Sequence, residues 1–215
     1  MKKPDVVWAI SRPTLGGIVR LVAPLRIYGS DRVLRTGGVV LALNHFSWLD
    51  PPAFGTACPR TIYYMAKSEI HEVRGLGPLI RGYGAFAVRR GESDREAVRL
   101  AREVVADGNA LGLFVEGTRQ RSGVPGEAKP GAAMIALQEQ VPVVPAAIHG
   151  TQTWRLGTFR PVSVAWGEPM RFEGVSPGGK AYREVSAEIQ ERIHALWRFL
   201  VDAHARGRPE GLQPP

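Results

Sequence analysis

Apolar, β-rich residues along the chain fall into short runs at 39–43, 61–65, 85–88, 111–115, 141–148 and 162–166, and each run has the length of a strand. Between several of them the spacing changes to that of a helix. Over 94–106, Val98, Ala101, Val104 and Val105 share one face, Ser93 and Glu96 have capping-box spacing, and Asp107-Gly108 supplies a stop. A second helix is predicted over 131–140. A third, over 182–203, places Val185, Ile189, Ile193, Leu196 and Leu200 at helical spacing with charges between them. Strands interleaved with helices predict an α/β fold, a mixed and largely parallel sheet flanked by helices. Ahead of it, residues 6–27 mix Trp8, Ile10, Leu15, Ile18, Val19, Leu21, Val22 and Leu25 with Arg12, Arg20 and Arg26. Pro13 and Gly16-Gly17 divide that stretch into two short amphipathic helices. The chain therefore reads as an N-terminal amphipathic segment over 1–35, an α/β domain over 36–205, and a Pro/Gly-rich tail over 206–215 expected to be disordered.

Composition narrows the class. With 215 residues, 44% hydrophobic and 22% charged, the chain can bury one enzyme-sized core. Cys58 is the single cysteine, which excludes an intramolecular disulfide and a cysteine zinc site and favours a reducing compartment. Its neighbours, Ala57 and Pro59-Arg60, offer no activating group, so it reads as a small buried apolar side chain.

The net charge of +8 calls for an anionic partner: nucleic acid, lipid headgroups or a phosphorylated substrate. The charge is spread along the chain and no zinc-finger or RNP-type motif is present, which speaks against nucleic acid. No run approaches the roughly 18 uncharged apolar residues of a membrane span. The start Met1-Lys2-Lys3 resembles that of a signal peptide, but Asp5, Arg12 and Pro13 interrupt any apolar region, so secretion is not expected. A basic helix carrying Trp8 and aliphatic residues can insert shallowly among headgroups. The same pattern also fits a helix packed on its own core.

Two segments carry candidate chemistry. Asn44-His45-Phe46-Ser47-Trp48-Leu49-Asp50 follows the run at 39–43 and so sits at a strand end, where open α/β sheets place ligands. A histidine there can serve as a general base, with a carboxylate on its other ring nitrogen fixing the tautomer. A five-residue offset does not stack two side chains on a helix, so a turn would have to join His45 and Asp50. Alternatively, Asp50 caps a helix beginning at Pro51 and His45 is a satisfied polar residue. The second segment, Leu113-Phe114-Val115-Glu116-Gly117-Thr118-Arg119-Gln120-Arg121-Ser122-Gly123, runs from a strand into a loop. Glu116 could hold an arginine in place while guanidinium and loop N–H groups receive phosphate oxygens, and Lys129 adds a charge near the next helix start. A solvated basic loop with a structural Glu–Arg pair is the plainer alternative.

Together these segments resemble the glycerolipid acyltransferase family, typified by 1-acylglycerol-3-phosphate acyltransferases. The family's hallmarks are Asn-His-x-x-x-x-Asp followed by Phe-x-Glu-Gly-Thr-Arg. Gly84-Ala85-Phe86-Ala87-Val88-Arg89-Arg90-Gly91 resembles its intervening arginine block, and Val141-Pro142-Val143-Val144-Pro145-Ala146-Ala147-Ile148 resembles its final Val-Pro strand. The chain departs from the family where Val115 stands in place of a frequent Pro and Gln120 in place of a frequent Ser. The first could change the loop's approach, the second the headgroup tolerated.

The resemblance implies that 36–205 is an acyltransferase domain. His45 would be the base and Asp50 its orienting partner, with Arg89 (in preference to Arg90), Glu116, Gly117, Thr118, Arg119 and Lys129 around the acceptor phosphate. It implies transfer from an acyl thioester, acyl-CoA or acyl-acyl carrier protein, to the sn-2 hydroxyl of 1-acylglycerol 3-phosphate, giving phosphatidic acid. It further implies no metal and no cofactor, a lysophospholipid acceptor, and peripheral attachment to the anionic cytoplasmic face of the cell membrane. His71, His149, His194 and His204 lie outside the motif and read as structural or surface residues. The same motifs would serve glycerol 3-phosphate or a glycolipid as acceptor, a base that activates a hydroxyl could activate water in a thioesterase, and the basic charge permits a non-catalytic lipid-binding protein.

Overall fold

Val39-Val40-Leu41-Ala42-Leu43 is apolar at every position, which suits a strand covered on both faces. In the computed structural model it is β2, fully buried and central in the sheet. The structure describes residues 5–67, 72, 74, 85–88 and 95–215. Among them the sheet has seven strands: β1 (Leu25–Tyr28), β2 (Val39–Leu43), β3 (Ile62–Lys67), β4 (Phe86–Val88), β5 (Ala110–Phe114), β6 (Val143–His149) and β7 (Val162–Trp166). Their order is β1-β7-β6-β2-β5-β3-β4. Neighbours run parallel except β6 and β7, so β1 and β7 point against the rest and the sheet is mixed and mostly parallel.

The strand period of two divides the core. Val40 and Ala42 face one cluster with α3 (Arg95–Ala106), α4 (Gly131–Glu139) and α5 (Gly179–Ala205). Val39, Leu41 and Leu43 face the other, with α1 (Asp5–Val22) and α2 (Asp50–Ala57). No helix among the described residues is long and apolar enough to cross a membrane.

Three expectations change. The N-terminal segment forms one helix, α1, which continues through Pro13. Gly16 is not a break: it is buried against α2, and a Cβ there would lie 3.3 Å from Thr56 Cγ2, so glycine permits close helix approach. Leu25–Tyr28, read as part of an amphipathic helix, is instead a strand because β7 offers it a parallel partner. Finally, the tail is held. Tyr28 Oη donates to Pro209 O at 3.1 Å, Glu210 pairs with Arg26, Leu212 packs beside Tyr28 and Leu196, and Pro214 is buried against Gly29. It lies against edge strand β1, a place where sheets need protection. The proposed cap residue Ser93 lies outside the described residues.

Deleting residues 209–215 should lower the thermal midpoint by about 4–8 °C, the scale of losing about 2 kcal/mol in a chain of this size. An unchanged midpoint in a thermal scan would show that these contacts contribute nothing to stability.

Candidate active site

The site lies where β2 and β5 end. Their register pairs Leu43 with Phe114, so the two motif loops leave the sheet side by side. The first residue past β2, Asn44, is buried, and its side chain takes over the ladder: Nδ2 donates to Ile148 O at 3.2 Å and Oδ1 accepts from Ile148 N at 2.8 Å. That two-point grip on β6 fixes where His45 begins. On the other side, Val115 N–H donates to Leu43 O at 3.0 Å. A proline at 115 could not make this bond, so the departure from the family pattern adds one rung between β2 and β5.

His45 is held by four contacts. Its N–H donates to Glu116 Oε2 at 2.7 Å, its carbonyl accepts from Gln120 N–H at 2.7 Å, and its ring stacks on Phe114 with centroids 4.1 Å apart. Its Nδ1 lies 2.8 Å from Asp50 Oδ2. The same Asp50 oxygen accepts N–H bonds from Phe46 at 2.6 Å and Ser47 at 2.7 Å. Asp50 is fully buried and opens α2, whose N-terminal dipole favours a carboxylate. An ionised Asp50 makes Nδ1 the protonated ring nitrogen, which leaves the Nε2 lone pair as a base. The cap alternative fails in its simple form, because the bonds of Oδ2 run back to residues 45–47 and Asp50 Oδ1, buried, makes none among the described residues. Tyr64, its phenol raised well above the ordinary value by burial, donates to Pro51 O at 3.1 Å and seats the start of α2.

Glu116 has a different job from the one its sequence context indicated. Oε2 accepts from His45 N–H and Oε1 from Gly126 N–H at 3.0 Å, so it ties the two ends of its own loop to the base and holds no arginine among the described residues. Burial pushes its carboxyl up to about 7; the two N–H donors oppose the rise and the Asp50 charge adds to it. Gly117 has φ +71°, and a Cβ there would also crowd the Lys129 side chain at 3.0 Å from Nζ. Thr118, Arg119 and Lys129 are exposed. Arg119 sits over the Trp48 ring, its Cζ 4.5 Å from the ring centroid, with no carboxylate partner among the described residues. An exposed guanidinium without a carboxylate can receive an anion on its N–H groups. Arg89 and Arg90 lie outside the described residues, as does His71.

The structure thus brings His45, Asp50, Glu116, Gly117 and Arg119 together around one strand end. It adds Asn44, Trp48, Phe114 and the Gln120 N–H, to which sequence reasoning assigned no part. All four stand inside the two quoted segments, but Phe114 and Gln120 act through contacts with His45 that are visible only in the fold. No group of three or more His, Cys, Asp or Glu side chains suited to a metal forms among the described residues.

A family model described as Acyltransferase matches residues 24–149, more than half of the chain. The chain belongs to the acyltransferase family. It is 31% identical over 183 residues to the 1-acyl-sn-glycerol-3-phosphate acyltransferase of Bacillus subtilis (strain 168), covering 83% of this chain and 91% of that one. A protein of the same name from Limnanthes douglasii is 31% identical over 173 residues, 73% of this chain and 58% of that protein. The fold is similar to the crystal structure of the 1-acyl-sn-glycerophosphate acyltransferase from Thermotoga maritima, with a TM-score of 0.70 at 24% identity over 89% of this chain and 81% of that one.

The acyltransferase's remaining described histidines sit apart from the motif. His149 and His204 face each other edge-on at 4.6 Å, and His204 Nε2 lies 2.9 Å from Ser163 Oγ. Burial first, then the neighbouring His149 and Arg208, lowers His204 to about 4. Between that value and the ordinary 6.5 the unfolded chain binds more protons than the folded one, so stability falls as pH drops through this window. The wild-type thermal midpoint should therefore fall more between pH 6.5 and 4.5 than that of His204→Gln. Parallel curves would place His204 in water.

Proposed function

We propose that this acyltransferase moves a fatty acyl group from acyl-CoA or acyl-acyl carrier protein to the sn-2 hydroxyl of 1-acylglycerol 3-phosphate, giving phosphatidic acid at the anionic cytoplasmic face of the membrane, where it is peripherally attached. One juxtaposition supports this reading above others. The His45–Asp50 pair stands on the same two loops as an Arg119 guanidinium that no carboxylate neutralises among the described residues. The relatives' names supply the substrate class.

In the proposed reaction His45 Nε2 takes the proton of the acceptor hydroxyl as its oxygen attacks the thioester carbonyl. Asp50 Oδ2 stays ionised and balances the imidazolium through Nδ1–H. Collapse of the tetrahedral intermediate breaks the C–S bond, and the departing thiolate receives the proton from Nε2. No cofactor takes part in these steps. Arg119 and Lys129, together with Gly117, Thr118 and Arg89 from the arginine block, would hold the acceptor's phosphate. Glu116 would support that site by fixing the loop. A charge-assisted hydrogen bond contributes about 1.5–3 kcal/mol, enough to set acceptor choice.

His45→Ala should lower turnover by about 10²- to 10⁴-fold while the chain still folds, because Phe46 and Ser47 keep donating to Asp50. Wild-type turnover in that variant would remove His45 from the mechanism. Arg119→Ala should raise KM for lysophosphatidic acid about 10- to 100-fold, towards that for monoacylglycerol. Lysine should restore it only in part, since an ammonium lacks the planar fork. If wild type treats both acceptors alike, the loop does not read phosphate.

A further inference from the structure

The connection between β6 and β7, residues 150–161, leaves the sheet at the end where His45 lies, because β6 runs parallel to β2. Its root is fixed to α1: Trp154 Nε1 donates to Val22 O at 3.1 Å. Its tip is fixed by itself. Thr158 Oγ1 donates to Arg155 O at 2.6 Å, and Thr158 N–H reaches the same carbonyl at 3.0 Å.

This ordered tip holds apolar side chains out in solvent, Leu156 at 80% exposure and Phe159 at 58%. Phe159 also has φ +48°, a left-handed conformation that costs a bulky residue free energy and that Asn or Gly would adopt with ease. Neither feature helps the isolated fold. The last turns of α1, beside the loop's root, add Ile18 at 56% and Leu21 at 72%. Arg155 and Arg160 flank the loop's apolar pair and Arg20 stands between those of α1, all exposed. Neither residues 150–161 nor residues 13–24 contain an acidic residue. Two apolar tips beside cations that form no ion pair among the described residues match a bilayer interface, whose anionic phosphates lie just above its acyl chains.

We propose that the β6–β7 loop, together with the last turns of α1, is a docking surface for an anionic bilayer, which sets the His45 end of the sheet against the lipid. The proposal rests on the lysolipid reading in one respect: an acceptor with a long acyl chain resides in that bilayer. Phe159 and Leu156 enter below the headgroups while Arg155, Arg160 and Arg20 meet lipid phosphates.

The test is cosedimentation of the full chain with vesicles of phosphatidylglycerol and phosphatidylcholine. Leu156→Ser with Phe159→Asn should lower the partition coefficient about tenfold. Because asparagine suits the left-handed backbone, the thermal midpoint should not fall. Arg20→Gln with Arg160→Gln should also weaken binding about tenfold, and the loss should shrink when vesicles are pure phosphatidylcholine. Partition by both variants equal to wild type overturns the proposal and leaves this surface to a protein partner. Acylation is scored in the same preparations. Vesicle binding without acylation of lysophosphatidic acid would sink the acyl-transfer reading and leave the docking surface standing.

Discussion

A carboxylate removed from water needs donors, and Asp50 finds three on a single oxygen: the His45 ring and the N–H groups of Phe46 and Ser47. That set decides the shape of residues 45–49. The chain leaves β2, folds back over the carboxylate and enters α2, so the charge that orients the imidazole is also the charge around which the turn is built. A helix start at residue 50 places its positive end on the same group. Base, turn and helix are consequences of one buried charge, and none of the three could be moved without exposing or orphaning it.

The second carboxylate extends this order to the neighbouring loop. Glu116 follows β5 and accepts from His45 N–H on one oxygen and from Gly126 N–H on the other. The loop from 117 to 126 is thereby drawn onto His45, and the Arg119–Trp48 contact adds a second tie between the two loops. Phe114 lies beneath the imidazole and between Tyr64 and Phe54, so the ring of His45 rests on an aromatic floor shared with α2 and β3. The loop and His45 are coupled through backbone, because a shift of the loop pulls on His45 at its N–H and its carbonyl together.

What could be read from the sequence follows from what each residue touches. Val39–Leu43 and Val162–Trp166 were legible to the residue because every position in them is buried, which writes a continuous apolar run in the first and one broken only by the small Ser163 in the second. Leu25–Tyr28 was not, because only Tyr28 is fully buried and Arg26 breaks the run; its strand character comes from β7, far along the chain. The tail misled through composition, since Pro and Gly resist regular structure yet pack well against an edge when Tyr28, Arg26 and Gly29 offer places. At the site, His45 and Asp50 are close in sequence, but their spacing left a helix cap as an alternative, and the pairing was carried by the family resemblance. The partners of Asn44 and Glu116 are backbone groups of Ile148, His45 and Gly126, which no side-chain pattern announces.

The reversal between β6 and β7 gives the N-terminal helix its place. β1 follows α1 directly and pairs in parallel with β7, and β7 opposes β6. The end at which α1 hands over to β1 is therefore the end at which β2, β5 and β6 finish. Had β7 run with the others, its parallel partner β1 would have begun at the opposite edge and carried the last turn of α1 away from His45. One antiparallel pair thus gathers a basic, partly apolar helix end, the loop that holds Leu156 and Phe159 in solvent, and the His45 turn onto a single edge. Under the proposed function the acceptor is anchored in lipid, and that edge is then where charge and chemistry have to coincide.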